Sequence, residues 1–253
     1  MSAVAASNAA RFAAKPIAGG GTPADEWVPI SFPALPLDQC PGLVVVAPHP
    51  DDEALGFGAA ASSVAARGLD VHTIIVSDGD AAWPDLSTSE QSRLAQSRRD
   101  ESRTAAGLLG LPMPAFLGLP DGQLAARESQ LADILTDVLA DRPANTWCAA
   151  TWRGDGHPDH EAVGRAAAVA ASRTGAVLVE YPVWMWHWAY PEDEAVPWHR
   201  AARVPLNSEA QQRKRDAIAA FRSQLESDVA GRDPILPPHV LARLDCVGEV
   251  VFR

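Results

Sequence analysis

The sequence predicts an α/β protein built on a mostly parallel sheet. Short apolar runs alternate with longer segments of helical pattern, an order that is typical of βαβ units. The apolar runs lack polar alternation, as expected of strands that helices cover on both faces. Together these observations predict a Rossmann-like three-layer fold. Because ligands bind such sheets beyond the carboxyl ends of the strands, we expect the active site at that edge.

The predicted elements begin at residue 43 and follow one another without an internal repeat. Gly68 ends the first helix, and Gly110, which is followed by prolines, ends the second. The predicted strands span residues 43–47, 71–77, 115–118, 146–151 and 176–181. The predicted helices span residues 54–67, 90–109, 129–140, 161–171 and 208–225. The segment 208–225 is predicted to be one long helix and the last of the chain.

Two regions of different character divide the chain of 253 residues. Residues 1–40 are rich in Ala, Gly and Pro and lack sustained periodicity, so we expect an N-terminal extension that forms an arm or a loosely docked lead-in. This extension has no continuous apolar stretch after a basic start, and we interpret it as non-secretory. Residues 41–253 are long enough to form one large domain.

Composition argues against several classes of protein. An apolar fraction of 47% and a charged fraction of 21% argue against global disorder. The net charge of −11 argues against binding to nucleic acids or anionic membranes, and no apolar run has the length of a membrane span. Three isolated cysteines fit a reducing compartment, and we expect a cytoplasmic protein. The oligomeric state stays open, and a homo-oligomer is compatible with the sequence.

A dense polar cluster follows the first predicted strand. The stretch PHPDDE places His49, Asp51, Asp52 and Glu53 directly after the apolar run LVVVA. Titratable groups at the end of a buried strand cost free energy unless a partner compensates them. A divalent metal ion is such a partner.

A second polar cluster, TWRGDGHPDHEAVG, also follows a predicted strand and opens a predicted helix. It contains His157, Asp159 and His160. Because both loops leave parallel strands, we expect them at the same edge of the sheet. Histidine and aspartate are ordinary zinc ligands, and a catalytic zinc site takes three ligands and leaves a position for water. Helix capping by Asp51 or Asp52 and by Asp159 is the alternative, but it explains only one carboxylate for each helix.

The paired motifs resemble those of a known enzyme family. PHPDDE together with HPDH at residues 157–160 resembles the PIG-L/LmbE-like family of zinc-dependent N-deacetylases. The resemblance runs from about residue 43 to residue 224 and includes three weaker pieces, RDESRTAAGLLG with Arg98 before it, LPDG and KRDAIAAFRSQ. It implies a hydrolase that removes acetyl groups from N-acetylglucosamine-type conjugates, including precursors of mycothiol and bacillithiol.

By this resemblance, the metal ligands are His49, Asp52 and His160, and the general base is Asp51. Asp51 would accept the proton of the zinc-bound water during attack on the acetyl carbonyl and would return it to the departing amine. The implied cofactor is Zn²⁺, although iron and manganese occupy similar sites.

The resemblance also implies supporting residues around the reaction. His157, as an imidazolium, would stabilise the tetrahedral oxyanion, and Asp159 would orient this ring and favour its charged form. Glu53 would contact either a ligand or the N-terminus of the first helix. Some members of the family have a tyrosine two residues before His157, where this chain has Asp155. The oxyanion contacts would then come from His157 and zinc alone or from another group.

Three residues are candidates for substrate contact. Arg98 and Asp121 match positions that contact sugar hydroxyls in relatives. Arg98 could instead lie on a solvated helix face, and Asp121 could shape a Pro-Asp-Gly turn. Trp186 belongs to the alternating aromatic run at 184–190, whose shared face would form a platform for sugar rings or an acyl chain. A structural aromatic edge or an oligomer contact is the alternative for this run.

The sequence therefore favours a zinc hydrolase that cleaves an acetamide on a small-molecule amino sugar or glycoconjugate. The alternative is a zinc amidase that cleaves a larger amide of a thiol-sugar conjugate, and the paired motifs do not separate these two. A non-catalytic sugar-binding module is less favoured because binding alone would not need Asp51 and His157. The sequence lacks G-x-G-x-x-G after the first strand and lacks G-x-S-x-G, which argues against a dinucleotide enzyme and a serine hydrolase.

Overall fold

One mixed sheet forms the centre of the computed structural model, which describes residues 6–28, 30–226 and 233–253. The strands in these residues are β1 (Leu43–Ala47), β2 (Val71–Ser77), β3 (Ala115–Leu119), β4 (Trp147–Thr151), β5 (Val177–Tyr181), β6 (Ala201–Arg203) and β7 (Val250–Phe252). Their order in the sheet is β3-β2-β1-β4-β5-β7-β6. Strands β1 to β5 are parallel, whereas β7 is antiparallel to β5 and β6. This topology confirms the predicted α/β fold with a mostly parallel sheet.

Helices connect the strands and cover the sheet. They are α1 (Asn8–Ala13), α2 (Asp52–Ala66), α3 (Thr88–Leu109), α4 (Glu128–Ala140), α5 (Pro158–Thr174), α6 (Met185–Trp188), α7 (Ser208–Ile218), α8 (Arg222–Leu225) and α9 (Pro238–Val247). None of those in the described ranges combines the length and the apolar character that a bilayer crossing requires.

Strand β1 is buried on both of its faces, as a strand inside three layers must be. Val44 and Val46 pack in one apolar cluster with Leu131 and other residues of α4 and α5. Val45, on the opposite face, packs in a second cluster with Phe57 of α2. Alternate side chains therefore serve opposite layers, which explains why the strand reads as a continuous apolar run.

One predicted helix is wrong in its extent. Residues 208–225 form two helices, α7 and α8, which a turn at residues 219–221 separates. Phe221 lies in this turn, is fully buried, and packs with Ala54 of α2 and Ala105 of α3. The burial of this ring fixes the turn that breaks the helical pattern. The segment is also not the last helix, because α9 and β7 follow it.

The adjacent strands β1 and β4 determine where a site can form. They pair in parallel, with Leu43 opposite Trp147 and Val46 opposite Ala150, so their carboxyl ends lie side by side. The chain continues from β1 to β2 on one side and from β4 to β5 on the other side. This is the topological switch point, where open α/β sheets bind ligands. The two polar clusters identified in the sequence both lie there.

A buried ion pair holds α2, the helix that begins in the first polar cluster. Lys214 of α7 donates hydrogen bonds to Glu249 at 2.9 Å and to the carbonyl oxygen of Leu55 at 2.8 Å. Glu249 also accepts hydrogen bonds from the amides of Ala59 and Ala60, each at 2.8 Å. These bonds tie α2 to α7 and to the residue before β7, and so they fix the helix behind the cluster.

Candidate active site

The loop after β1 folds into a tight turn that brings His49 and Asp52 together. The amide of Asp52 donates to the carbonyl oxygen of His49 at 3.3 Å, and the amide of His49 donates to the Asp52 carboxylate at 3.1 Å. Between them, Asp51 has a φ of 123°, which is strained for a residue other than glycine. Strain of this kind is typical of functional sites, where surrounding contacts over-determine an unfavourable backbone.

Three side-chain atoms that could bind a metal ion meet at the switch point. Nδ1 of His49 and Nε2 of His160 lie 3.1 Å and 3.2 Å from Oδ2 of Asp52, and the ligand atoms of the three residues all lie within 4.8 Å of one another. Nε2 of His160 is buried and has no hydrogen-bond partner in the described part of the chain. Buried polar atoms normally have a partner. A two-histidine, one-aspartate set whose buried histidine nitrogen makes no hydrogen bond within the described ranges fits a divalent cation.

A second group of possible ligands, which consists of His49, Asp121 and Asp159, shares His49 with the first. Nε2 of His49 lies 3.1 Å from Asp121 and 3.4 Å from Asp159. Both carboxylates already accept backbone hydrogen bonds. Asp159 accepts from the amides of Gly122 at 2.7 Å and Leu124 at 3.1 Å, and Asp121 accepts from the amide of Ala81 at 2.8 Å. We therefore assign these carboxylates to holding the Nε2 side of His49, which leaves Nδ1 for a metal.

His160 is oriented by Asp155, a residue that sequence reasoning missed in this role. Oδ2 of Asp155 lies 2.8 Å from Nδ1 of His160 and so turns Nε2 toward Asp52. Asp155 is fully buried, and its carboxylate also accepts hydrogen bonds from the amides of Val183, Trp184 and Met185. A carboxylate behind a metal-binding histidine is a common arrangement. The available signal was an aspartate five residues before the second histidine of the motif.

The ionisation of the ligands also suits a cation. Burial lowers the pKa of His160, but the carboxylates of Asp52 and Asp155 outweigh this effect and raise the pKa to about 9. Burial likewise opposes ionisation of Asp52, but His160 and His49 lower its pKa. In the absence of a metal, a proton on His160 therefore balances the buried carboxylates. A divalent cation would take the place of that proton, as metal binding at histidine generally requires.

Asp51 lies beside the ligands and contacts Arg98. Nη2 of Arg98 donates to Asp51 at 3.2 Å and to the carbonyl oxygen of Pro50 at 2.6 Å, and Nη1 donates to that of Gly79 at 2.9 Å. Arg98 is only 4% exposed, so the alternative of a solvated helix face is wrong. Burial raises the pKa of Asp51 to about 7. The positive charge of Arg98 lowers this pKa by less than burial raises it, and the negative charge of Asp52 raises it further. A pKa near neutrality suits proton transfer.

His157 caps the N-terminus of α5 and lies against the ligand rings. Its ring centroid is 5.1 Å from that of His49 and 4.8 Å from that of His160. Nδ1 accepts a hydrogen bond from the amide of Asp159 at 3.3 Å, so the neutral ring carries its proton on Nε2. Burial, together with the charges of His160 and His49, lowers the pKa of His157 to about 3. This environment favours the neutral ring rather than the predicted imidazolium.

The carboxylate of Asp159 lies elsewhere than predicted. It points from the first turn of α5 toward the amides of Gly122 and Leu124 and toward His49, rather than toward His157. The two amides satisfy its oxygens, which explains this orientation. The contact between Asp159 and His157 runs instead through the backbone amide described above.

Glu53 contacts the N-terminus of α2, which was one of the two predicted alternatives. Its Oε2 accepts a hydrogen bond from the amide of Asp51 at 2.9 Å, and the hydroxyl of Ser102 donates to Oε1 at 3.4 Å. Burial raises the pKa of Glu53 to about 8, against the effect of the Asp51 amide. Glu53 thus supports the strained backbone of Asp51.

Several of these groups line a cavity of about 280 Å³. Its polar side chains, which include two of the three predicted substrate contacts, Arg98 and Asp121, are His49, Asp51, Asp52, Arg98, Asp121, His157 and Gln224. Its large apolar side chains are Phe12, Ile17, Leu55, Trp184, Ile235 and Leu236. The cavity is therefore lined both by polar side chains, among them possible metal ligands, and by large apolar side chains.

Residues 44–171, about half of the chain, match the sequence profile of the PIG-L family, which is described as GlcNAc-PI de-N-acetylase. The match includes both polar clusters. The chain belongs to the PIG-L family.

Relatives of this PIG-L chain include named deacetylases. It is 28% identical over 141 residues to diacetylchitobiose deacetylase of Thermococcus kodakarensis, covering 55% of this chain and 52% of the relative. It is 27% identical over 237 residues to 1D-myo-inositol 2-acetamido-2-deoxy-α-D-glucopyranoside deacetylase of Nocardioides sp., covering 80% of this chain and 74% of the relative. The chain thus spans about half of the length of the first relative and about three quarters of the second.

A solved PIG-L-like structure has the same fold. N,N'-diacetylchitobiose deacetylase from Pyrococcus horikoshii superposes with a TM-score of 0.59 at 20% identity, over 76% of this chain and 74% of that chain. This structural similarity shows that the two proteins share a fold.

Beyond the profile match, Gln224 is a cavity residue that sequence reasoning missed. Gln224 is 1% exposed, and its Oε1 has no hydrogen-bond partner in the described residues, while its Nε2 donates to the hydroxyl of Ser223 at 3.0 Å. An orphaned polar atom on a cavity wall is a candidate for substrate contact. The signal was its place at the end of KRDAIAAFRSQ, the piece that resembles the C-terminal helix of PIG-L proteins.

The predicted aromatic platform is wrong. Residues 185–188 form the short helix α6 rather than an extended segment, so alternate side chains do not share a face. Trp186 is 2% exposed and packs edge-on against Trp27, with 5.0 Å between ring centroids. Trp184 lines the cavity instead, and Tyr190 is exposed to solvent. Trp186 is therefore a core residue.

Proposed function

We propose that this chain is a zinc-dependent deacetylase that hydrolyses the acetamide of an N-acetylated amino sugar or glycoconjugate. The observation that carries the proposal is the buried Nε2 of His160, which makes no hydrogen bond in the described residues, lies 3.2 Å from Asp52 and lies within 4.8 Å of the possible ligand atom of His49. Asp51, the group that would act as base, lies at the same edge in a strained backbone conformation. The names of the two relatives support acetamido sugars as the substrate class.

His49, Asp52 and His160 would hold the zinc ion. Zinc bound there would act as a Lewis acid toward a carbonyl oxygen and would acidify water. Asp121 and Asp159 fix the His49 ring, and Asp155 fixes the His160 ring, so two of the three ligand atoms are oriented before a metal arrives.

Asp51 would move the proton during hydrolysis. Its carboxylate would accept a proton from the attacking water and return it to the nitrogen of the departing amine. The contact with Arg98 keeps this carboxylate in place, and its pKa of about 7 suits both steps. A binding module would not need a base in this position.

His157 would stabilise the oxyanion as a neutral hydrogen-bond donor. Because Nδ1 accepts a hydrogen bond from the amide of Asp159, the ring proton lies on Nε2. Donation from Nε2 to the developing oxyanion would be strongest in the transition state. This role differs from that of the imidazolium expected from the sequence.

Arg98 and Asp121 would bind the sugar. Both line the cavity, and Nε of Arg98 has no hydrogen-bond partner in the described residues. Free Cys40 and Cys148 are buried thiols, which fits a reducing compartment, and we place the enzyme in the cytoplasm.

The proposal is tested by amine release from a panel of N-acetylated sugar conjugates. The protein is assayed by mass spectrometry as purified, after chelation, and after zinc is restored. We expect a free amine and acetate from at least one conjugate, loss of activity on chelation, and recovery with zinc. The alternative, an amidase for larger amides of thiol-sugar conjugates, predicts activity only on conjugates with a larger acyl group. Hydrolysis that chelation leaves unchanged, or none with zinc bound, would overturn the proposal.

A further inference from the structure

Most of the large apolar side chains that line the cavity belong to parts of the chain outside residues 44–171. We use the name apolar wall for Phe12, Ile17, Leu55, Trp184, Ile235 and Leu236. Only Leu55 of this set lies within the residues that match the PIG-L profile. The polar lining, apart from Gln224, lies within them. The residues assigned to the chemistry and the residues of the apolar wall therefore come from different parts of the sequence.

Several contacts hold the N-terminal arm, residues 6–22, which the sequence predicts to be an arm or a loosely docked lead-in. Arg11 forms a two-pronged ion pair with Asp193, with one contact at 3.0 Å, and its guanidinium lies over the ring of Trp188 at 4.5 Å. The side chain of Asn8 donates to the carbonyl oxygen of Gly154 at 2.9 Å. These contacts fix α1 against the loop that carries His157.

The rest of the arm is held through its backbone. The rings of His187 and His239 lie 3.1 Å and 2.8 Å from the carbonyl oxygens of Lys15 and Ile17. Arg243 donates to the carbonyl oxygen of Thr22 at 2.6 Å. Side chains from α6 and α9 therefore set the path of the arm past the cavity, and Phe12 and Ile17 keep fixed positions in its wall.

A glycine permits the closest approach of the arm to the site. Gly156 has a φ of 94°, and a Cβ atom there would lie 2.9 Å from Cβ of Phe12 and 2.6 Å from Nε1 of Trp188. Phe12 can therefore pack directly on the loop before His157. Its ring centroid lies 6.0 Å from that of His157 and 5.3 Å from that of Trp184. The apolar wall thus begins beside the proposed oxyanion donor.

We propose that the apolar wall binds an apolar substituent that the substrate carries next to its amide. This inference rests on the proposed hydrolysis of an amino-sugar amide. An apolar aglycone would leave the acetamide as the bond that is cleaved, whereas an apolar acyl chain would replace the acetyl group and favour the amidase alternative. An amide at the ligands extends one substituent from its carbonyl carbon and one from its nitrogen. Arg98 and Asp121 suit the hydroxyls of the sugar, whereas Phe12 and Trp184 gain free energy by losing water to an apolar group.

Two matched pairs of substrates test this proposal. One pair is N-acetylglucosamine and N-hexanoylglucosamine, which differ in the acyl chain. The other is the methyl and phenyl glycosides of N-acetylglucosamine, which differ in the aglycone. In the zinc-loaded protein, we expect kcat/KM for amine release to favour the apolar member of one pair by roughly tenfold, the scale for burying such a group. The responding pair identifies the substituent that the wall binds.

Variants of the arm link that preference to the wall. Phe12→Ala should reduce the kcat/KM ratio of the responding pair several-fold, and Phe12→Leu should restore most of it because leucine keeps an apolar surface. The matched control is Phe32→Ala, which removes a ring stacked on Trp198 with 6.0 Å between centroids, away from the cavity. This control should leave the ratio unchanged. Ile17→Ala provides a second wall variant if Phe12→Ala fails to give folded protein by thermal unfolding.

The outcomes separate this proposal from the proposed function. Amine release with a ratio near unity in both pairs would overturn the apolar subsite and leave the deacetylase proposal in place. A preference for the apolar substrate that persists in folded Phe12→Ala and Ile17→Ala would also overturn the apolar subsite. Failure to release amine from any of the four substrates with zinc bound would overturn both.

Discussion

The carboxylate of Asp155 lies 2.8 Å from Nδ1 of His160 and turns the opposite nitrogen of that ring toward Asp52. Both residues are fully buried, so this pair has no solvent to compete with it. The arrangement connects the loop after β4 to the proposed metal and makes Asp155 a positioning residue.

Asp155→Asn should weaken zinc binding by roughly ten- to a hundredfold, the usual effect of removing a carboxylate behind a histidine ligand. Competition with a chromogenic chelator measures the affinity. The matched control is Asp193→Asn, which also alters a buried aspartate with a backbone donor but lies at the N-terminal arm. Equal zinc affinities in Asp155→Asn and the unmodified protein would contradict the assigned role.

Asp51→Asn should retain zinc and lose on the order of a hundredfold or more in turnover, because asparagine keeps the shape but accepts no proton. Amine release and elemental analysis of the same samples give both quantities. Asp100→Asn, on the exposed face of α3, serves as the surface control and should leave both unchanged. Near-normal turnover in zinc-loaded Asp51→Asn would assign the base to another residue.

His157→Ala should raise the barrier to turnover by roughly 2–4 kcal/mol while zinc affinity stays close to that of the unmodified protein, since only an oxyanion contact is lost. Asp159→Asn should show the opposite pattern, with weaker zinc binding, because its carboxylate faces His49. His72→Ala, at the side of the sheet near Asp70, is the control histidine variant. A loss of zinc from His157→Ala would instead make this residue a ligand.

Gln224→Ala should raise KM by up to about tenfold, the scale of one hydrogen bond, because Oε1 has no other partner in the described residues. The free energy of unfolding should fall by less than it would if the substitution removed a buried group whose hydrogen bonds are all formed. Substrate saturation curves and urea unfolding test the two parts, with the exposed Gln211→Ala as control. An unchanged KM would remove Gln224 from the substrate site.

The parts of the fold that the sequence predicts well are those that local patterns determine. β1 and β2 have the predicted bounds because each is a continuous apolar run buried by helices on both sides. The two polar clusters come together because parallel strands β1 and β4 are neighbours and both loops leave their carboxyl ends. A reader of the sequence can therefore place His49 and His160 at one edge.

The parts that sequence reasoning missed depend on contacts between distant residues. The burial of Trp186 against Trp27 and the break in the helix at Phe221 arise from packing that no local period encodes. The role of Asp155 depends on three amides that arrive from the segment after β5. Likewise, nothing in the composition of the N-terminal arm indicates that Phe12 reaches the cavity.

The zinc content of His160→Ala tests the central claim most directly. Elemental analysis should find a single zinc ion per chain in the unmodified protein after loading and dialysis. In folded His160→Ala, most of that zinc should be lost, because the substitution removes the buried Nε2, which lies 3.2 Å from Asp52 and completes the group of three possible ligands. The His72→Ala control should keep its zinc. Near-stoichiometric zinc in His160→Ala would contradict the proposed metal centre.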